Sequence, residues 1–321
     1  MLKDKDLRIL VVGGAGYIGG YLSDVLLRSG HDITVYDNLM FETRYLKDIN
    51  FIYGDIRERE KLLTILKGFE MVVWLAAIVG DGACAVDPAL TKIINEDSVK
   101  WLVDNYEGRI IFTSTCSVYG IHDDLIDEDA EFNPQSVYAS TKLAAEKYIL
   151  DNHDNYLIFR LGTLFGLGDD FSRVRLDLVV NILTARAMKG ETLTVFGGEQ
   201  WRPLLHVKDV GEVVSYCLDN EVTGLYNLSY KNIKIHQIAE TIAKVIDEVK
   251  IEYAHMKFED LRNYRVKTER IMATGWKPKY NIKDGIREVA KLIEEHRIVD
   301  TNDPVYHNAA FVEENHGNER N

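Results

Sequence analysis

In the first half of the chain, short apolar runs rich in β-branched residues alternate with stretches whose apolar positions recur at helical spacing. The runs Arg8–Val12, Ile33–Tyr36, Phe51–Tyr53, Met71–Leu75, Arg109–Thr113 and Tyr156–Arg160 predict strands, and 17–29, 57–67, 87–106 and 135–151 predict helices. Continuously apolar strands separated by helices imply a parallel sheet covered on both faces, hence a doubly wound α/β domain. Beyond about residue 165 the pattern loosens. Helical stretches at 173–189, 207–219, 235–248 and 283–297 mix with short strands at 193–196 and 225–229. The expected organisation is a dinucleotide-binding domain over 1–170 and a smaller, mainly substrate-binding lobe over 171–321. Part of 200–230 is expected to return to the main sheet. The polar tail 313–321 is expected to fray.

Composition narrows the class. The 321 residues are 46% hydrophobic, enough for a packed core, and carry a net charge of −13. No long basic stretch is present, which argues against nucleic-acid binding. Cys84, Cys116 and Cys217 are odd in number and widely spaced, so neither a disulfide framework nor a metal site is expected. The beginning of the chain lacks a signal-peptide layout, and no apolar run reaches membrane-spanning length. The expectation is a cytoplasmic protein in a reducing compartment.

Chemistry enters at "VVGGAGYIGG" (11–20), between the first strand and the first helix. Gly13, Gly16 and Gly19, with Tyr17 and Ile18 between them, permit a tight turn and close approach of a pyrophosphate to a helix N-terminus. A tight turn without a ligand is the plainer alternative, but the position in an alternating strand–helix pattern favours a Rossmann-type dinucleotide site. The second strand ends in "VYDNL", where Asp37, followed by Asn38, is placed to accept hydrogen bonds from adenosine ribose hydroxyls. Its charge would repel a 2′-phosphate, so NAD is favoured over NADP. Capping a turn is the alternative for Asp37. Asp55 and Ile56, in "GDI", would lie along the adenine.

In "VYASTK" (137–142), Tyr138 and Lys142 are one helical turn apart on one face. A phenol titrates near ~10, and a nearby cation lowers that value. An ordinary amphipathic helix would also carry this pair.

The glycine loop, "YDN", "GDI", "LAA" (75–77) and YxxxK occur in an order and at a spacing that resemble the extended short-chain dehydrogenase/reductase family. The branch it is most similar to acts on nucleotide-linked sugars and includes 4-epimerases, 4,6-dehydratases and C4 dehydrogenases. The resemblance implies that Tyr138 exchanges a proton with a sugar hydroxyl while Lys142 lowers its pKa and holds the nicotinamide ribose. Thr115, in "FTSTCSVYG", would hydrogen-bond the reacting oxygen. Ala76, Ala77 and Asn95 would line the cofactor, although Asn95 suits a backbone-bonded helix position equally. "QWRPLLHVKDV" resembles a family segment in which Arg202 grips a diphosphate, with His206 and Asp209 holding the lobe together. Arg262, Arg173, Arg175 and Asn181 are further substrate candidates, though surface ion pairs would explain some of the arginines.

The dehydratases of this family carry an acidic pair directly after the threonine. Cys116 and Ser117 stand there, which argues against dehydration. Cys116 is either a base or an inert hydrophobe, with the inert role favoured. Thr163 occupies a position where 4-epimerases usually carry asparagine. The glycine-rich loop 78–88, which includes Cys84, would lie over the nicotinamide and sugar and looks more like that of C4-oxidising enzymes, including GDP-heptose C4 dehydrogenases; Cys84, Cys116 and Thr163 are thus further substrate-site candidates. The resemblance therefore implies an NAD-dependent oxidoreductase at C4 of a nucleotide-linked sugar, with a 4-epimerase or a non-catalytic NAD(H) sensor as alternatives. It also implies a homodimer packed through the helices near 87–106 and 135–151, with Trp101, Leu102, Tyr148 and Ile149 as apolar contacts.

Overall fold

Seven strands form the main sheet: β1 (Arg8–Val12), β2 (Asp32–Asp37), β3 (Asn50–Tyr53), β4 (Met71–Trp74), β5 (Arg109–Thr115), β6 (Tyr156–Leu161) and β7 (Gly224–Leu228). Their order is β3-β2-β1-β4-β5-β6-β7, and every neighbouring pair is parallel. The order reverses between β1 and β4, which makes that boundary the topological switch point of a Rossmann-type sheet. The structure is a computed structural model and describes residues 7–42, 44–254 and 263–318.

The strands are apolar at consecutive positions because both faces are covered. Ile9, Val11, Val35, Val73, Ile111 and Phe159 face one core, and Leu10, Val12, Val72, Trp74, Ile110 and Phe112 face the other. On the first face, α1 (Gly19–Arg28) packs against the helix Val207–Asp219. The other helices of the first half are α2 (Arg59–Leu66), α3 (Asp81–Val86), α4 (Pro88–Lys92), α5 (Ser98–Asn105) and α6 (Val137–Asn152).

The expected helix over 87–106 is interrupted. The Asp87 side chain caps α4 by accepting the Leu90 N–H, and a π-helical turn at Ile93–Asp97 separates α4 from α5. The expected loop 78–88 contains α3. Ser136 caps α6 through the Ala139 N–H at 3.1 Å and donates to Asp81 Oδ1 at 2.7 Å, tying α3 to the YxxxK helix.

Beyond β6, Trp201–His206 pairs in parallel with Thr163–Phe165 and antiparallel with Lys231–Lys234, and a separate core gathers around Phe165, Leu183, Leu204, Ile238 and Ile286. The expected helix over 173–189 begins only at Val179, which leaves 173–178 irregular. Of the tail expected to fray, residues 313–318 are helical instead. Asn308–Asn318 is a helix packed on α3, with Val312 buried, while 319–321 lie outside the described residues. Leu102 and Ile149, expected at a dimer contact, are buried in the sheet-side core. Among the described residues, no helix is long and apolar enough to cross a membrane, and no group of three or more His, Cys, Asp or Glu could hold a metal ion.

Candidate active site

A cleft with an empty volume of ≈ 1630 Å³, open solvent included, lies at the carboxyl ends of β1, β2, β4 and β5. Gly13 turns the chain there at φ +81°, and a Cβ on it would lie 2.5 Å from the Ala76 nitrogen. A Cβ on Gly19 would meet the Gly14 backbone at 2.5 Å, so this glycine lets α1 pack against the turn. Gly16 differs. The nearest atom to an added Cβ is the Gly13 oxygen at 3.6 Å, which leaves its backbone open to the cleft. The start of α1 has no side-chain cap and no acidic residue in its first turn. Its positive end is therefore free for a phosphate, and these residues fit a dinucleotide.

Asp37 ends β2 and lines the cleft. Its carboxylate accepts the Leu39 N–H at 2.7 Å and the Ala15 N–H at 3.0 Å, fastening the glycine loop to β2. Burial raises its pKa, and those N–H groups pull it part of the way back. It caps a turn and also faces the cleft, with lone pairs left over for a ribose. Asn38 donates to Asp55 Oδ2 at 2.9 Å. The Arg57 guanidinium holds the Asp55 carboxyl down at about 2. Tyr17, Ile18, Ile56, Ala76 and Ala77 complete this half of the lining.

Thr115, Tyr138 and Lys142 line the same cleft. Thr115 ends β5, and its hydroxyl accepts the Ser117 N–H at 3.1 Å. Lys142 is buried, with its ammonium 4.1 Å from the Phe112 ring centroid. Burial drives the lysine down to about 7 and raises the Tyr138 phenol. The groups that pull the phenol back are Thr115, through a hydrogen bond, and Arg175, through its charge. Burial is the largest influence on the phenol and raises it, and the lowering contributions come from Thr115 and Arg175 rather than from Lys142.

Thr163, Arg173 and Arg175 also line the cleft. Arg175 forms a two-pronged pair with Asp177 at 3.0 and 2.8 Å. Five other expected site residues are not among its lining. Asn95 bonds both backbone groups of Ile78, at 2.9 and 2.8 Å, from the π-helical turn. Cys84 is buried against the Ile78 carbonyl and Cys116 against the Arg160 carbonyl, and burial raises both thiols, so neither is a base. Asn181 is buried on the backbone of Gly166 and Arg175. Arg202 is buried in the strand Trp201–His206, where it donates to the Trp201 carbonyl. Arg262 lies outside the described residues. His206 pairs with Glu288 at 2.8 Å, and Asp209 accepts the Lys279 N–H at 2.8 Å, so both fasten the lobe.

Phe41, Glu42, Ser114, Tyr264 and Asn308 line the cleft without having been expected there. Ser114 was readable as the neighbour of Thr115, whereas nothing local marks Asn308. The carboxylates among the described lining residues are Asp37, at the end of β2, and Glu42 and Asp55, on the segments after β2 and β3.

Residues 9–229 match the family described as the NAD dependent epimerase/dehydratase family. The chain belongs to that family. Among its relatives, a low-salt glycan biosynthesis protein of Haloferax volcanii is 26% identical over 303 residues, 87% of this chain and 96% of that one. A UDP-glucose 4-epimerase of Corynebacterium glutamicum is 25% identical over 305 residues, covering 85% and 92%. The structure of a Thermus thermophilus UDP-glucose 4-epimerase complexed with NAD is similar with a TM-score of 0.77 at 25% identity, covering 90% of this chain and 99% of that one. Membership identifies the protein as one of a family of NAD-dependent enzymes acting on nucleotide sugars.

Proposed function

We propose that the protein oxidises C4 of a nucleotide-diphosphate sugar, as a C4 dehydrogenase of a GDP-linked heptose or hexose. The supporting observation is that Thr115, Tyr138 and Lys142 line one cleft with the glycine loop and Asp37. NAD bound there supplies the hydride acceptor. Tyr138 takes the proton of the C4 hydroxyl, Thr115 hydrogen-bonds the same oxygen, and Lys142 holds ribose hydroxyls. Arg175, kept in place by Asp177, adds positive charge that favours the phenolate and faces the anionic substrate. Cys116 and Ser117, in place of an acidic pair, argue against dehydration. The GDP-linked heptose or hexose rests on the likeness of segment 78–88.

A UDP-sugar 4-epimerase is the second reading, favoured by the activity of the Corynebacterium and Thermus relatives. The proposal includes a homodimer through α5 and α6, where Trp101 and Tyr148 are partly exposed. It also includes a reducing cytoplasmic compartment, since all three cysteines are free and buried.

The test mixes NAD-loaded protein with GDP- and UDP-sugars and follows reduced-cofactor absorbance and product NMR. Reduced cofactor with a 4-keto product from a GDP-sugar supports the dehydrogenase. Interconversion of C4 epimers without net reduction supports the epimerase. Bound NAD with no change in any sugar overturns both and favours a sensor.

A further inference from the structure

The segment 303–312 reaches the cleft through Asn308, which is 1% exposed. The Asn308 carboxamide accepts a hydrogen bond from the Arg173 guanidinium and donates one of 3.0 Å to the Val79 carbonyl. The same guanidinium donates to the Val305 carbonyl at 2.7 Å and lies 4.8 Å from the Phe41 ring centroid and 5.9 Å from that of Phe311. The Arg173 backbone N–H donates to Glu42 Oε1 at 2.8 Å. Arg173 and Asn308 therefore join the loop after β2, the loop after β4 and the segment 303–312.

Those two loops follow the strands that flank β1, whose glycine loop opens α1. Arg173 and Asn308 bridge those two loops, and a phosphate bound at the positive end of α1 would lie between them. The segment carrying Arg173 is seated on α1. A Cβ on Gly20 would lie 2.2 Å from the side chains of Asp169 and Ser172, and Lys47 bonds both the Gly20 carbonyl at 2.6 Å and Asp169 at 2.7 Å.

The charge balance points the same way. Among the described residues, the Arg173 guanidinium makes no ion pair; its partners are a carbonyl, a carboxamide and two rings. Asp177 pairs directly with Arg175 and reaches Arg173 only at longer range, where the Arg175 charge opposes it. Burial raises Glu42 to about 7, which weakens it as a counter-charge at neutral pH. A partly buried cation without a full counter-charge is costly until a ligand supplies one.

We propose that Arg173 and Asn308 form a clasp over the pyrophosphate of the bound dinucleotide. The guanidinium provides the charge, Asn308 fastens it from the segment 303–312, and the dinucleotide leaves only when this bridge opens. The clasp rests on the dinucleotide reading of the cleft and not on which sugar reacts. It reassigns Arg173 from the sugar nucleotide to the cofactor.

The test preloads the full chain with NADH, chases with excess NAD⁺ and follows loss of bound-NADH fluorescence. Arg173→Gln is expected to weaken NADH binding about 10- to 100-fold, the range for a hydrogen bond to a charged group, and to lower its salt dependence. Asn308→Ala, which keeps the charge, is expected to speed release several-fold. Binding of GDP- and UDP-sugars to NADH-saturated protein should stay unchanged in both. Unaltered NADH affinity and release in Asn308→Ala and in any folded Arg173→Gln overturns the clasp, as does a loss confined to sugar-nucleotide binding. If Arg173→Gln does not fold, Asn308→Ala decides alone. A wild type that holds no NADH sinks the cofactor reading and the clasp together. One that holds NADH with the expected variant effects, yet converts no sugar, sinks only the proposed reaction.

Discussion

The Lys142 ammonium lies 4.1 Å from the centroid of the Phe112 ring, one turn along α6 from Tyr138, and burial pushes the lysine from 10.5 to about 7. Between those two values the unfolded chain binds the proton and the folded chain does not. The stability linked to this group is therefore complete above about 10.5 and is lost as pH falls through about 7. Urea unfolding of the cofactor-free protein should give stability that rises with pH across this window, and Lys142→Met should flatten the rise. Equal pH slopes for wild type and variant would show that Lys142 titrates normally.

Tyr138→Phe removes the hydroxyl and leaves the ring, which packs partly buried against the core containing Phe112. Turnover should fall by about 10²–10⁴, the usual worth of a positioned acid or base, while NADH binding stays near wild type. Steady-state rates and NADH fluorescence check the two halves separately. Near-normal turnover would remove the phenol from the proton path.

Asp37 binds two backbone N–H groups and faces the cleft, so its loss acts on the turn and on cofactor choice. Asp37→Ala should weaken NADH binding and raise the affinity for NADPH relative to NADH, because a negative charge beside a 2′-phosphate is gone. Fluorescence titrations with both cofactors give the ratio. If the ratio does not move, Asp37 serves only the turn.

Asp37 and Cys116 mark the boundary of what was legible in the sequence. Strands β1 to β6 were readable to within about two residues at most ends because consecutive apolar positions are a local signal. Asp37, Thr115 and Tyr138 stand at the ends of such elements, so their place followed from the pattern. Cys116 directly follows Thr115 and Cys84 lies in the glycine-rich loop beside the cleft, yet their thiols turn to backbone carbonyls. A side chain's direction within a turn is set by packing that spacing does not encode. Asn95 was readable as a helix polar residue but not as the holder of Ile78, which depends on a π-helical turn. Asn308 meets Arg173 from 135 residues away, and no local pattern announces that contact.

Arg160 and Glu146 test whether the position of α6 depends on a buried charge pair. Arg160 Nε donates to Glu146 at 3.0 and 3.2 Å, and its Nη1 donates to the Tyr119 hydroxyl at 2.6 Å and the Glu128 carbonyl at 2.7 Å. Tyr119 in turn donates to Asn227 Oδ1 at 2.7 Å, so α6, β6, β7 and the turn after β5 share one network. Glu146 lies one turn beyond Lys142 on α6, and the opposite end of the network adjoins Thr115 through that turn. Removing one partner strands a buried charge, so Glu146→Leu should cost about 3–5 kcal/mol in urea unfolding. The double variant Glu146→Leu/Arg160→Met buries apolar groups instead and should regain most of that loss. Its turnover should remain depressed, because α6 then loses the directional bonds that align Tyr138 with Thr115. A double variant with full stability and full turnover would show that apolar packing alone positions the helix.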